Sequence, residues 1–381
     1  MNNVWLALFL FLCGCAPQHV TPGHPALARA QADTALARQV AKNMASSQDA
    51  VRLALEQSLR YARAQKSTDT ALTADGIACS WSRLAATLEH LRALLPRLDT
   101  EPELLAQDFA WYQIAPAPLL TGYYEPEIEA SLTPDPDFPV PLHGLPPTLR
   151  SVDLGAFHPR WKGQTLIYRQ TEQGIAPFFS RAEIDGQHAL EGLGTPIAWA
   201  KDWVDVFFLH IQGSGRLIFP DGTVRHILYA GKNGREYVSL GRVMLEQGRM
   251  ARAEVSMQSL RAYLHAHPES VRELLDTNPS YVFFRLAENG PFGSMGCTLT
   301  PMVSMATDPA FLPLGTALAL DVLLPESSGP DKPARFLGLA QDRGGAITGT
   351  RLDLFCGVGP EATYRAGQTQ AQARAYVLLK K

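Results

Sequence analysis

The chain is poor in cysteine, in net charge and in the short signatures of nucleotide or hydrolase chemistry. Its five cysteines, at 13, 15, 79, 297 and 356, include no CxxC pair of zinc spacing, so no metal site is readable and no cofactor is expected. A formal net charge of −3 lacks the basic field that general nucleic-acid binding needs. No Walker loop, HExxH, GxSxG or internal repeat is present. Gly213-x-Gly215 is not followed by the helix of a dinucleotide site, and Ser214 has no nearby base motif. What remains is globular: 46% hydrophobic and 19% charged residues, over 381 positions, enough for two domains and a tail. Thirty glycines and 28 prolines suit many short strands joined by turns.

Val4 to Cys13 is an apolar run of signal-peptide length, too short for a permanent bilayer span. Leu12-Cys13-Gly14-Cys15 then looks like a bacterial lipobox, which makes 1–14 a signal peptide and Cys15 the lipidated residue. The leader departs from the pattern in having no Lys or Arg before the apolar run. Ala16 after Cys15, by resemblance to bacterial lipoproteins, implies the outer membrane, facing the periplasm. Residues 15–104 read as a linker and a helical region. A helix is expected from about Ala26 to Ala64 and a second from Trp81 to Leu95, with Leu84, Leu88 and Leu91 on its apolar stripe and Pro96 ending it.

The period then changes. Leu119 to Pro126 reads as a strand on which Tyr123 and Tyr124 face opposite sides, a core tyrosine and a surface one unless the segment lines a site. Asp135 to Pro147 reads as a proline-rich loop. Val206 to Gln212 reads as a strand with Phe207, Leu209 and Ile211 on the core face and His210 and Gln212 on the other, followed by Gly213-Ser214-Gly215. That polar cluster is either a satisfied turn or a sugar-binding edge. Tyr229 to Tyr237 reads as a loop in which Gly231 and Gly234 flank Lys232-Asn233 and admit close backbone approach. Helical spacing returns between Ser239 and Asp276, with Met257, Leu260 and Leu264 on one face.

Near the C-terminus, Leu337 to Gly357 runs apolar, breaks at Asp342, turns over Gly344 and Gly345, and resumes as a strand through Asp353. Alternation sets Asp353 and Phe355 opposite Leu352 and Leu354. The two aspartates are either solvated turn caps or carboxylates aimed from a rigid frame.

Asp308 before PLGT, Asp342 in DRGGAI and Asp353 in RLDLF resemble the three-aspartate domain, a double-psi β-barrel. With TGYYEP, HIQGSG, YAGKNGREY and NPSYVFF, the chain resembles the membrane-bound lytic murein transglycosylase A family from about Leu119 onward. The resemblance implies a mainly β protein with N-terminal and connecting helices. A double-psi barrel from 105–124 and 287–381 would carry a smaller inserted barrel, 125–286, with a glycan groove between them. It implies cleavage of the β-1,4 bond between N-acetylmuramic acid and N-acetylglucosamine of peptidoglycan, leaving 1,6-anhydromuramoyl ends. Asp353 becomes the acid/base, with a raised pKa, and Asp342 its support; Asp308 caps a turn. Tyr123, Tyr124, His210, Gln212, Ser214, Lys232, Asn233, Gly234, Tyr237, Gly344 and Gly345 become substrate contacts.

A transglycosylase needs no water, because the C6 hydroxyl attacks its own C1, so one carboxyl group can serve twice. Two rivals stand beside this: a hydrolase with Glu125 as second carboxylate, and a wall-binding lipoprotein that does not cut. Cys297 and Cys356 fall in the same barrel, where a free buried thiol at Cys356 is preferred over a disulfide.

Overall fold

The computed structural model describes residues 24–74 and 77–381. The leader and Cys15 lie outside the described residues. The expected mainly β architecture with two sheet-built units is the one observed.

The first unit is a nine-stranded mixed sheet. Its order is Ala26–Ala30, Phe109–Ala115, Arg374–Lys380, Ala317–Glu326, Gly329–Asp342, Ser304–Ala306, Leu352–Val358, Leu119–Glu125 and Gln370–Gln372. Leu120, Leu318, Leu320, Leu352, Leu354 and Val377 fill its interior and are fully buried. The strand Ala317–Glu326 shows why its sequence, ALALDVLL, is nearly all apolar. Leu318 and Leu320 point into this core, while Ala317 and Ala319 pack under the N-terminal helices. A strand covered on both faces loses its polar alternation, and alanine on the outer face lets helices lie close.

Those helices are Thr34–Ser46, Gln48–Ala64 and Trp81–Leu94. The single helix expected over 26–64 is therefore corrected. Asp33 caps a new start, its Oδ1 accepting from Ala35 N (3.1 Å) and Leu36 N (3.0 Å). The five residues from Ala26 to Ala30 instead pair with Phe109–Ala115, since an open sheet edge outweighs alanine's helix preference. The Trp81 helix begins on Ser80 and buries Leu84, Leu88 and Leu91 as expected. Gln341, fully buried in the barrel, fastens this layer: its Nε2 donates to Ala54 O (2.8 Å) and Ser58 Oγ (2.9 Å).

The second unit is a six-stranded sheet ordered Val282–Ala287, Val224–Lys232, Ser214–Ile218, Glu127–Ser131, Pro196–Ala200 and Val140–His143. A bridge between Gly144 and Phe284 joins its two ends into a small barrel. Val140–His143 is thus a strand inside the segment expected to be loop.

The larger correction is Trp203–Gln212, which is a helix and not a strand. Asp202 caps it and Gly213, at φ +80°, ends it. Val206 and Leu209 pack on the barrel; Val204, Phe207 and Phe208 pack on an outer helical layer. Ile211, expected in the core, is 39% exposed. A helix buried on two sides is apolar nearly all round, which hides its 3.6-residue period. The helix Met257–Ala266 is as expected, with Leu260 and Leu264 buried. Cys79, Cys297 and Cys356 are free thiols.

Candidate active site

Four adjacent strands of the first sheet place one row of residues side by side. Ala306 pairs with Asp342 on one side and Asp353 on the other, and Asp353 pairs with Thr121. The register slips between Met305 and Ala306, so that Asp342 stands where Gln341 would fall. Such a bulge re-aims a side chain. Gln341 turns inward to the helices, and Asp342 joins the row. Two strand spacings, about 9–10 Å, separate the aspartate backbones, with only the alanine methyl between them.

Asp353 lies against apolar surroundings. Phe355 follows two residues on, its ring 5.3 Å from that of Tyr123. Thr121 Oγ1 donates to Asp353 Oδ1 at 2.7 Å. Burial pushes the Asp353 carboxyl up to about 6; Thr121 and Arg351 oppose the rise, and the neighbouring Asp342 carboxylate adds to it. A carboxyl group near that value holds a proton at mildly acidic pH and can also give it up.

Asp342 is differently placed. Its Oδ1 accepts from Ser294 N (2.8 Å), Ser294 Oγ (2.7 Å) and Arg343 N (2.8 Å). Its Oδ2 accepts from the Tyr123 hydroxyl at 3.0 Å. Burial, with both carboxylates beside it, holds the Tyr123 phenol well above its usual pKa, so it remains a donor. Asp308 caps its turn through Ala310 N (3.0 Å) and reaches Gly349 N (2.7 Å), tying down the loop between the two other aspartates. Gly344 makes the turn in that loop possible, since a Cβ there would come within 2.6 Å of Ile347. Gly345 is exposed in open space.

Thr121, Arg351 and Ser294 were not singled out from the sequence. Period-two spacing carries a signal for two of them, since Thr121 shares a strand face with Tyr123 and Arg351 precedes Asp353 by two. Arg351 Nη2 lies 3.5 Å from Thr121 Oγ1.

The inserted unit divides its expected contacts. Tyr237 is 44% exposed, and burial of its hydroxyl raises its pKa against the opposing influence of Ser239 and the Arg351 charge. Tyr229 is half exposed, and burial of its hydroxyl raises its pKa against the opposing charge of Arg343. Lys232 is exposed and Ser214 half-buried at the head of its strand. Gly234, at φ +74°, packs against Ile167, where a Cβ would fall 2.5 Å away.

The others are spent on structure. Tyr124 is buried, and its N–H donates to Gln212 Oε1 at 3.0 Å, bracing one unit against the other. Asn233, 1% exposed, donates to Phe179 O and Pro279 O, both at 2.8 Å, and accepts from Tyr281 N (2.9 Å) and Arg235 N (3.2 Å). His210 is buried against the rings of Tyr281 (4.3 Å) and Phe284 (5.3 Å). Its ring nitrogens have no hydrogen-bond partner among the described residues. Burial holds its pKa well below the usual value, with Arg181 and His143 acting the same way.

Glu125 is 4% exposed and lies 2.7 Å from His226 Nδ1. Four residues of strand, about 13 Å, separate it from Thr121. Among the described residues no group of three or more His, Cys, Asp or Glu is placed to hold a metal ion.

These features define a class: a two-barrel protein with a half-shielded carboxyl group and a hydrogen-bonded carboxylate in one strand row, facing a tyrosine-bearing second barrel. Residues 119–285 match the MltA specific insert domain, and 303–379 the 3D domain. Membrane-bound lytic murein transglycosylase A of Vibrio cholerae is 36% identical over 265 residues, 68% of this chain and 65% of that one. The Escherichia coli K12 protein of the same name is 35% identical over 263 residues, 68% and 64% of the two. The match thus spans a little under two thirds of the length of these curated relatives. The crystal structure of a membrane-bound lytic murein transglycosylase from Agrobacterium tumefaciens superposes with TM-score 0.77 at 30% identity, covering 93% of this chain and 98% of that one. E. coli MltA with bound chitohexaose gives 0.66 at 28%, covering 86% and 89%. The chain belongs to the membrane-bound lytic murein transglycosylase A family.

Proposed function

We propose that the protein is a lytic transglycosylase that cuts the β-1,4 MurNAc–GlcNAc bond of peptidoglycan with Asp353 as sole acid/base. The observation that carries this reading is the unequal pair: Asp353 has a raised pKa and one neutral donor, whereas the acceptor positions of Asp342 are filled by four donors. Protonated Asp353 gives its proton to the glycosidic oxygen as the C1–O bond breaks. The resulting carboxylate then takes the proton of the C6 hydroxyl as that oxygen closes on C1. The proton returns to Asp353, no water is consumed, and a 1,6-anhydro ring is left. Asp342 positions Tyr123 and the Ser294 turn at the edge of the site. Tyr229 and Tyr237 supply rings on the facing barrel for sugar contact.

The names of the relatives and the chitohexaose complex of one of them support a peptidoglycan glycan as substrate. A hydrolase is disfavoured because Glu125, the second carboxylate it would need, is buried and paired with His226. Mass spectrometry of digested sacculi tests the reading. Muropeptides lighter by one water support it; only reducing-end muramic acid overturns it.

Cys15 is read as the lipid anchor of an outer-membrane lipoprotein facing the periplasm. The membrane-bound relatives support membrane association, and no described helix is long and apolar enough to cross a bilayer. Loss of palmitate labelling in Cys15→Ser tests the anchor.

A further inference from the structure

Resting on the proposed reaction, we infer that Arg343 and the cavity it borders receive the peptide stem that peptidoglycan carries on its muramoyl sugar. The cavity, about 310 Å³, lies between the N-terminal helices and the first barrel, lined chiefly by Tyr61, Trp81, Ser294, Pro313, Leu314 and Arg343. Its size is at the lower end of small-ligand sites, roughly 300–1,000 Å³. The rings of Tyr61 and Trp81 meet edge to face at 6.0 Å. Among the described residues the lining holds one cation and no carboxylate.

Position gives the cavity its meaning. Ser294 and Arg343 line it, and the backbone N–H groups of these same two residues hold Asp342. A sugar set over the aspartate row therefore has this cavity beside it. The stem leaves the muramoyl ring at C3, off the glycan axis, and needs room to the side. It also carries free carboxylates several bonds out from the sugar, whereas a muramoyl residue without peptide has only the lactyl carboxylate beside its ring. The exposed Arg343 guanidinium has no acidic partner among the described residues, and neither has Arg60, next to Tyr61. A guanidinium waiting at the mouth of an aromatic and prolyl cavity matches a peptide carboxylate. Tyr61 and Trp81 precede both stretches that match the family domains, so this wall comes from the N-terminal helices.

The test uses full-length Asp353→Asn protein, which retains substrate. Titration calorimetry compares a GlcNAc–MurNAc fragment carrying a tripeptide with the same disaccharide lacking it. The peptide-bearing fragment is expected to bind at least about 10-fold more tightly, with the advantage falling as salt rises. Adding Arg343→Gln should remove the difference, and Arg343→Lys should restore part of it. Equal affinities for the two fragments, or an advantage that survives Arg343→Gln, overturns the inference. Absence of anhydro products from the wild-type protein would instead overturn the reaction, and the binding comparison does not depend on that result.

Discussion

The two barrels treat their polar residues in opposite ways. In the first, Asp342, Asp353, Thr121 and Tyr123 come from neighbouring strands, and their polar atoms meet at the surface of one row. In the second, His210 and Asn233 stand in equally distinctive segments but are sealed inside. A motif of polar residues therefore marks either chemistry or the internal wiring that shapes a wall. Burial and hydrogen-bond accounting separate the two.

The largest expected effect falls on Asp353. Replacement by Asn should lower turnover of sacculi by about 10³-fold or more, in line with a general acid–base contribution of roughly 10²–10⁴. Dye release from labelled sacculi measures it; substantial activity would transfer the role to Asp342. Next, Tyr123→Phe removes a donor to Asp342 and should lower kcat by about 10-fold with little change in melting temperature. Asn233→Ala inverts that pattern. It strips partners from four backbone groups and should destabilise the fold by about 2–4 kcal/mol in urea titration, while the folded fraction keeps its chemistry.

The acidity of Asp353 gives a smaller effect of predictable sign. Its folded-state value of about 6 lies above the ordinary 3.8, so the folded protein holds this proton more tightly than the unfolded chain does. The resulting stability is fully present below about pH 4 and is lost as pH rises through 6. At pH 7.5, Asp353→Asn should therefore be more stable than the wild type by about 1–3 kcal/mol, and wild-type kcat should decline above pH 6. The smallest effect belongs to His210→Leu. Its ring makes no hydrogen bond among the described residues, so stability should change by less than about 1.5 kcal/mol and activity should be retained.

Much of the first barrel was legible because strand alternation is local. Leu352 and Leu354 against Asp353 and Phe355 needed only the period of two. The bulge that brings Asp342 into line was not legible, since it depends on Gln341 finding partners in a helix nearly 300 residues earlier in the chain. Trp203–Gln212 reads as a strand because burial on both sides erases its helical periodicity. The interior fate of Asn233 was hidden too: its four partners come from Phe179, Arg235, Pro279 and Tyr281, and three of those are distant in sequence.

Gln341 has one more consequence. The residue that plugs into the Gln48–Ala64 helix is the immediate neighbour of Asp342. Shortening the protein to its two barrels would remove both helix acceptors of this side chain and leave it only Ser304, whose hydroxyl donates to its Oε1. The strand would then be free to settle back into regular register, and Asp342 would rotate out of the row. The helices ahead of the barrel thus belong to the aiming of the carboxylates, and a flexible tether of equal length would not replace them.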